Sequence, residues 1–136
     1  VERVIDGDTL LLVNQSRVRL IGADSPETKH PDLPTEPWGR EAHEFTRQLV
    51  EGRDVRLEFD KERRDKYDRV LAYVYIDEWL LNEELIRAGL ARAITKYPYS
   101  EAMKRRFRAA QAEAQRERRG IWGTEPEPPR SDRVRR

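Results

Sequence analysis

Apolar and polar residues alternate in short runs along the first third of this chain, which predicts strands before any helix. Val1 to Ile5 reads as one strand and Thr9 to Val13 as its continuation. The run between them, Asp6-Gly7-Asp8, suits neither, since Asp is poor in strands and Gly weakens them. Asp-Gly between apolar runs is a hairpin signal, and a carboxylate parked at a strand end is the sharper alternative. Asn14 to Ser16 predicts a second turn, and Val18 and Leu20 then alternate with Arg17 and Arg19. Four prolines between Pro26 and Pro37 exclude regular structure and predict a long loop. Trp38 to Gly52 reads as a helix with Trp38, Ala42, Phe45 and Leu49 on one face and Gly52 as its stop.

Val55, Leu57 and Phe59 alternate in the next strand, Lys61 to Tyr67 forms a charged turn, and Arg69 to Ile76 is a further strand. Asn82 is expected to cap a short helix through Ala88, ended by Gly89. Ser100 is expected to cap a last long helix with Met103, Phe107, Ala110 and Ala114 as its buried stripe. Gly120 then stops it, and Ile121 and Trp122 tuck back onto the core. The order is three strands, a helix, two strands and two helices. It predicts an α+β domain: a five-stranded OB-fold barrel with three helices packed around it. The domain spans 1–123, and 124–136, "TEPEPPRSDRVRR", reads as a flexible Pro/Arg-rich tail.

Composition changes this picture little. With 37% hydrophobic and 39% charged residues among 136, the chain suits one folded domain with a solvated surface. A net charge of +1 does not announce a nucleic-acid binder, although Lys104 to Arg119 and Arg130 to Arg136 are basic runs. The absence of cysteine excludes disulfides and thiolate metal sites. No apolar run is long enough to span a membrane. The strand-like start at Val1 is compatible with a leader removed upstream, and so with a secreted or envelope-associated protein. The compartment stays open. Monomer is the default expectation, because no apolar stripe is left over.

Chemistry concentrates around the first hairpin. If the strands pair around Asn14 to Ser16, Thr9 faces Ile21, and Asp8 and Asp24 emerge at the same open end. Glu27 follows three residues beyond Asp24, after the Ser25-Pro26 bend. Three converging carboxylates repel one another unless a hard dication such as Ca²⁺ relieves them. On geometry alone, solvated loop acids and a metal site both remain open. Arg19 on the third strand and Arg69 opening the fifth would suit phosphate binding beside such a cluster, while each alone reads as an ordinary exposed strand arginine.

"VIDGDT", "RLIGADSPETKHP", "WGREAHEFT", "EFDKERRDKYDRVLAYVY", "NEELIRAGLA" and "GIW" together resemble the staphylococcal nuclease (thermonuclease) family. The resemblance runs from Val1 to Trp122. It implies an OB-fold enzyme that hydrolyses DNA and RNA with Ca²⁺, leaving 3′-phosphates. It further implies that Asp8, Asp24 and the backbone carbonyl of Ser25 hold Ca²⁺, with Asp6 behind them. Glu27 is implied as the general base or water-orienting carboxylate, and Arg19 and Arg69 as the catalytic arginines. Lys66, Tyr67 and Tyr97 are implied as substrate-binding residues. Asp68 replaces the family's usual Gly, and Thr95 a Tyr, which bears on affinity and base preference. The stretch Pro31–Pro37 aligns with the family's mobile loop. The rival readings are a catalytically silent OB module that binds nucleic acid or protein, and a plain Ca²⁺-binding domain.

Overall fold

The computed structural model describes residues 1–27 and 36–123. The predicted tail at 124–136 and most of the proline-rich loop lie outside the described residues. The Asp-Gly interruption is a hairpin turn: β1 (Arg3–Asp6) pairs antiparallel with β2 (Thr9–Leu11), with Asp6 opposite Thr9. Glycine is required at its centre, because a Cβ on Gly7 would lie 2.8 Å from the Cβ of Ala42 on the first helix.

β2 pairs with β3 (Arg17–Leu20), but in a different register from the expected one: Thr9 faces Arg19, not Ile21. The turn centres on Asn14, whose Oδ1 accepts from the Ser16 N–H at 2.9 Å, while Gln15 takes φ 71°. Leu12 and Ser16 close it with a backbone bond of 2.9 Å, as in a three-residue hairpin loop with a left-handed last residue. The slip is by two residues, so every side chain keeps its face. Val18 and Leu20 are buried as the alternation predicts.

β3 runs parallel to β6 (Val70–Ile76), which pairs on its other side with β5 (Arg56–Glu58) and with the short β7 (Trp79–Leu80). The result is a six-stranded sheet in the order β1-β2-β3-β6-β5, with β7 beside β6. The α+β class with three helices is as expected, whereas the sheet has six strands where a five-stranded barrel was expected, and it is not closed into a barrel. Val1 bonds to the backbone of Gly52 and Arg53, and Val4 N–H to Glu51 Oε2, but no ladder joins β1 to β5 among the described residues. β5 is three residues long with only Leu57 partly covered, too short to continue the pairing. A second, two-stranded sheet joins β4 (Ala23–Asp24) to β8 (Arg92–Ala93), a pairing the alternation did not predict.

α1 (Gly39–Val50) lays Ala42, Thr46 and Val50 against the β1–β2 hairpin, with Thr46 Oγ1 donating to the Gly7 carbonyl at 2.7 Å. α2 (Leu81–Arg87) begins one residue before the expected cap. Asn82 is therefore not a cap: it is fully buried, accepts from the Val74 N–H and donates to the carbonyls of Ile21 and Ala72. It ties α2 to β6 and to the end of β3. α3 (Glu101–Arg116) is capped by Ser100 Oγ, which accepts from Met103 N–H at 3.2 Å, and buries Phe107, Ala110 and Ala114. The chain then turns through Gly120–Trp122, where the Ile121 N–H reaches the Gly89 carbonyl at 2.8 Å. No helix among the described residues is long and apolar enough to cross a membrane.

Candidate active site

Register and turns bring Asp8, Arg19 and Asp24 together. Asp8 sits in the β1–β2 turn, buried at 6% exposure. Its Oδ1 accepts from Thr9 Oγ1 and its Oδ2 from the Ser25 N–H, both at 2.8 Å. Arg19, central in β3, extends its guanidinium between the two acids, 3.4 Å from Asp8 Oδ2 and 3.1 Å from Asp24 Oδ1. Its Nη1 donates to the carbonyls of Leu20 and Ala23 at 2.9 and 2.5 Å. Partial desolvation of the half-exposed Asp24 carboxyl raises its pKa; the Arg19 charge works against that, and the Asp8 charge adds to it.

Glu27 does not join them. It is exposed, and its backbone pairs with Glu36, the N–H donating to Glu36 Oε1 at 2.6 Å. Among the described residues no three acids or histidines are gathered to hold a metal, so the expected convergence of three carboxylates is reduced to the Asp8–Asp24 pair. That pair is still chemically suited to a hard cation. Its donors are carboxylate oxygens, each with lone pairs beyond those in use, and it already shares one positive group. Beside it, Ser25 Oγ is buried with no hydrogen-bond partner among the described residues.

On the other side of Arg19 opens a cavity of about 460 Å³. Arg19, Arg64, Lys66 and Arg69 line it with Tyr67, Tyr97 and Tyr99. The parallel pairing of β3 with β6 sets Val18 beside Val70, so Arg19 and Arg69 each lie one residue from the same rung. Tyr67 and Tyr97 are exposed, with cationic groups over their rings: Arg69 and Lys66 over Tyr67, Lys96 over Tyr97, each 5.3 Å from the centroid. Tyr99 is buried, which pushes its phenol up to about 12, so it stays neutral.

A family profile described as staphylococcal nuclease homologue matches residues 17–124. The chain belongs to this family. It is 44% identical over 125 residues to the thermonuclease of Staphylococcus intermedius, a match covering 90% of this chain and 74% of the relative. Against the thermonuclease of Staphylococcus hyicus the identity is 43% over 126 residues, covering 88% and 72%. Endonuclease YncB of Bacillus subtilis is 39% identical over 125 residues, covering 89% of this chain and 59% of that protein.

Within this nuclease-family fold, sequence reasoning missed two groups in the cavity wall. Asp65 was read as part of a charged turn. It is the hub of that turn: Oδ1 accepts from the N–H groups of Tyr67 and Arg69 at 2.9 and 3.0 Å, and Oδ2 from Arg69 Nε at 2.8 Å. Partial burial tends to raise its pKa, but these bonds outweigh it and hold the carboxyl below the usual range. An Asp two residues before a turn position is a known signal for side-chain-to-backbone bonding, so this role was legible in principle. Arg64 is the other; it pairs with Asp68 at 3.3 Å across the same turn.

Proposed function

We propose that this chain is a Ca²⁺-dependent nuclease, hydrolysing phosphodiester bonds of DNA and RNA at the 5′ P–O bond to leave 3′-phosphates. The reading is supported chiefly by one juxtaposition: two arginines face a single cavity beside a carboxylate pair. The names of the relatives, thermonuclease and endonuclease, agree with it.

In this reading Asp8, Asp24 and the Ser25 carbonyl hold the ion. When bound, Ca²⁺ supplies Lewis-acid polarisation of a non-bridging phosphoryl oxygen. Arg69 offers its fork to the phosphate, and Arg19 stabilises the charge that develops on the phosphoryl oxygens. Glu27, exposed just beyond Ser25-Pro26, orients the attacking water or takes its proton. Lys66 and Tyr67 receive a terminal phosphate, and the Tyr97 ring offers a stacking surface to a base.

Cleavage of labelled single-stranded DNA tests this, with Ca²⁺ or chelator and with wild type or Glu27→Gln. Cleavage should need the ion and fall by roughly 10²–10⁴ in the variant. Folded protein that binds DNA without cutting it would establish the silent binding module instead.

A further inference from the structure

Arg69 differs from a free surface arginine in how its guanidinium is held. Among the described residues its side chain is hydrogen-bonded through Nε alone, to Asp65 Oδ2 at 2.8 Å. The two Nη groups are left to the cavity that Arg69 lines. A phosphate is bound bidentately by such a planar edge, and anchoring Nε fixes the plane before the anion arrives. Asp65 is itself fixed by the same turn: its N–H donates to the Arg69 carbonyl at 3.1 Å and its Oδ1 takes two backbone N–H groups. Both partners are partly buried, with side chains 20% and 25% exposed, so the pair is shielded from full solvent screening.

We propose that Asp65 is a positioning residue for Arg69, acting in phosphodiester cleavage by orienting the guanidinium edge toward the cavity without touching substrate. This rests on the reading of Arg69 as a phosphate-binding catalytic group. Asp65 thereby carries two separable duties. Oδ1 shapes the loop, and Oδ2 aims the arginine.

Asp65→Asn separates them. The amide oxygen still accepts from Tyr67 and Arg69 N–H, while its NH₂ faces Arg69 Nε–H, donor against donor. Groups that orient a functional residue typically contribute roughly 10–100-fold. The expected result is a kcat loss of that order, KM changing less, with the thermal midpoint lowered only slightly. In an Arg69→Ala background the same substitution should cost nothing further, since its target is gone. An equal loss in both backgrounds, or wild-type kcat in Asp65→Asn, overturns the proposal. Full activity in Arg69→Ala alone would instead remove Arg69 from the mechanism, and the proposal with it, while leaving the nuclease reading standing. Should Asp65→Asn unfold, the Arg69 Nε–H resonance of wild-type protein decides. A protected resonance is expected, and one exchanging like that of an exposed arginine overturns the inference.

Discussion

Arg19 and Arg69 face the same cavity but are built in opposite ways. Arg19 is held from afar: the turn at Asp8, the strand end at Asp24 and the carbonyls of Leu20 and Ala23 converge on its two Nη groups. Arg69 is held from within a five-residue turn, by Asp65 through Nε and by the Tyr67 ring that its guanidinium covers. The first arginine has its fork engaged by protein, and the second has its fork open. Two residues of one proposed chemical role thus depend on the fold to very different degrees. One is a product of the whole sheet, the other of a local loop.

The largest effects are expected on removing either guanidinium. Arg19→Ala and Arg69→Ala should each lower kcat by roughly 10²–10³, the typical loss of a preorganised donor. Only Arg19→Ala should also destabilise the protein, by about 1–3 kcal/mol, because buried Asp8 loses its counter-charge and two carbonyls lose a donor. Arg69→Ala should stay within about 1 kcal/mol, as a partly exposed pair does. Urea unfolding of the two variants gives the answer; equal destabilisation would erase the distinction. Next in size is Asn82→Ala, which unties α2 from β6 and the end of β3. It should destabilise by about 1–3 kcal/mol while the folded fraction cuts at the normal rate. A loss of rate in fully folded protein would mean that Arg19 depends on this support more closely than the bonds suggest.

The smallest effect is expected at the local turn. Asp68 holds φ 62° and engages Arg64 on the cavity wall. Asp68→Gly relieves the left-handed backbone and removes a negative charge beside Arg69. KM for single-stranded DNA should fall by a few-fold, about the 1 kcal/mol of an exposed charge contact, and the gain should fade at high salt. An unchanged KM at low salt would show that Arg64 is not restrained by its partner.

Most elements were legible because they are written in short-range pattern. Ser100 caps its helix, Gly52 and Gly89 take positive φ where helices stop, and Val18 and Leu20 face inward. What escaped depends on distance in the chain. The β4–β8 pairing leaves two-residue strands with no periodicity to read, and Asn82 resembles a cap until its three partners on other elements are known. Around the site, the meeting of Asp8, Asp24 and Arg19 followed from the hairpin even with its register misread by two residues, since the slip kept the faces. Asp65 escapes for the opposite reason: Lys61 to Tyr67 reads as a charged turn, and the charge conceals the side-chain-to-backbone geometry.

The parallel pairing of β3 with β6 has a kinetic consequence. Residues 18–20 must find residues 70–72 across the intervening β4, α1 and β5, a closure that local turns do not help. The Asp65–Arg69 turn spans five residues and can form while the chain is otherwise open. On refolding, the local clamp should therefore be in place early, and the two arginines should become neighbours only when the central rung closes. Return of cleavage would then serve as a clock for that last long-range event, running behind any probe that watches helices alone.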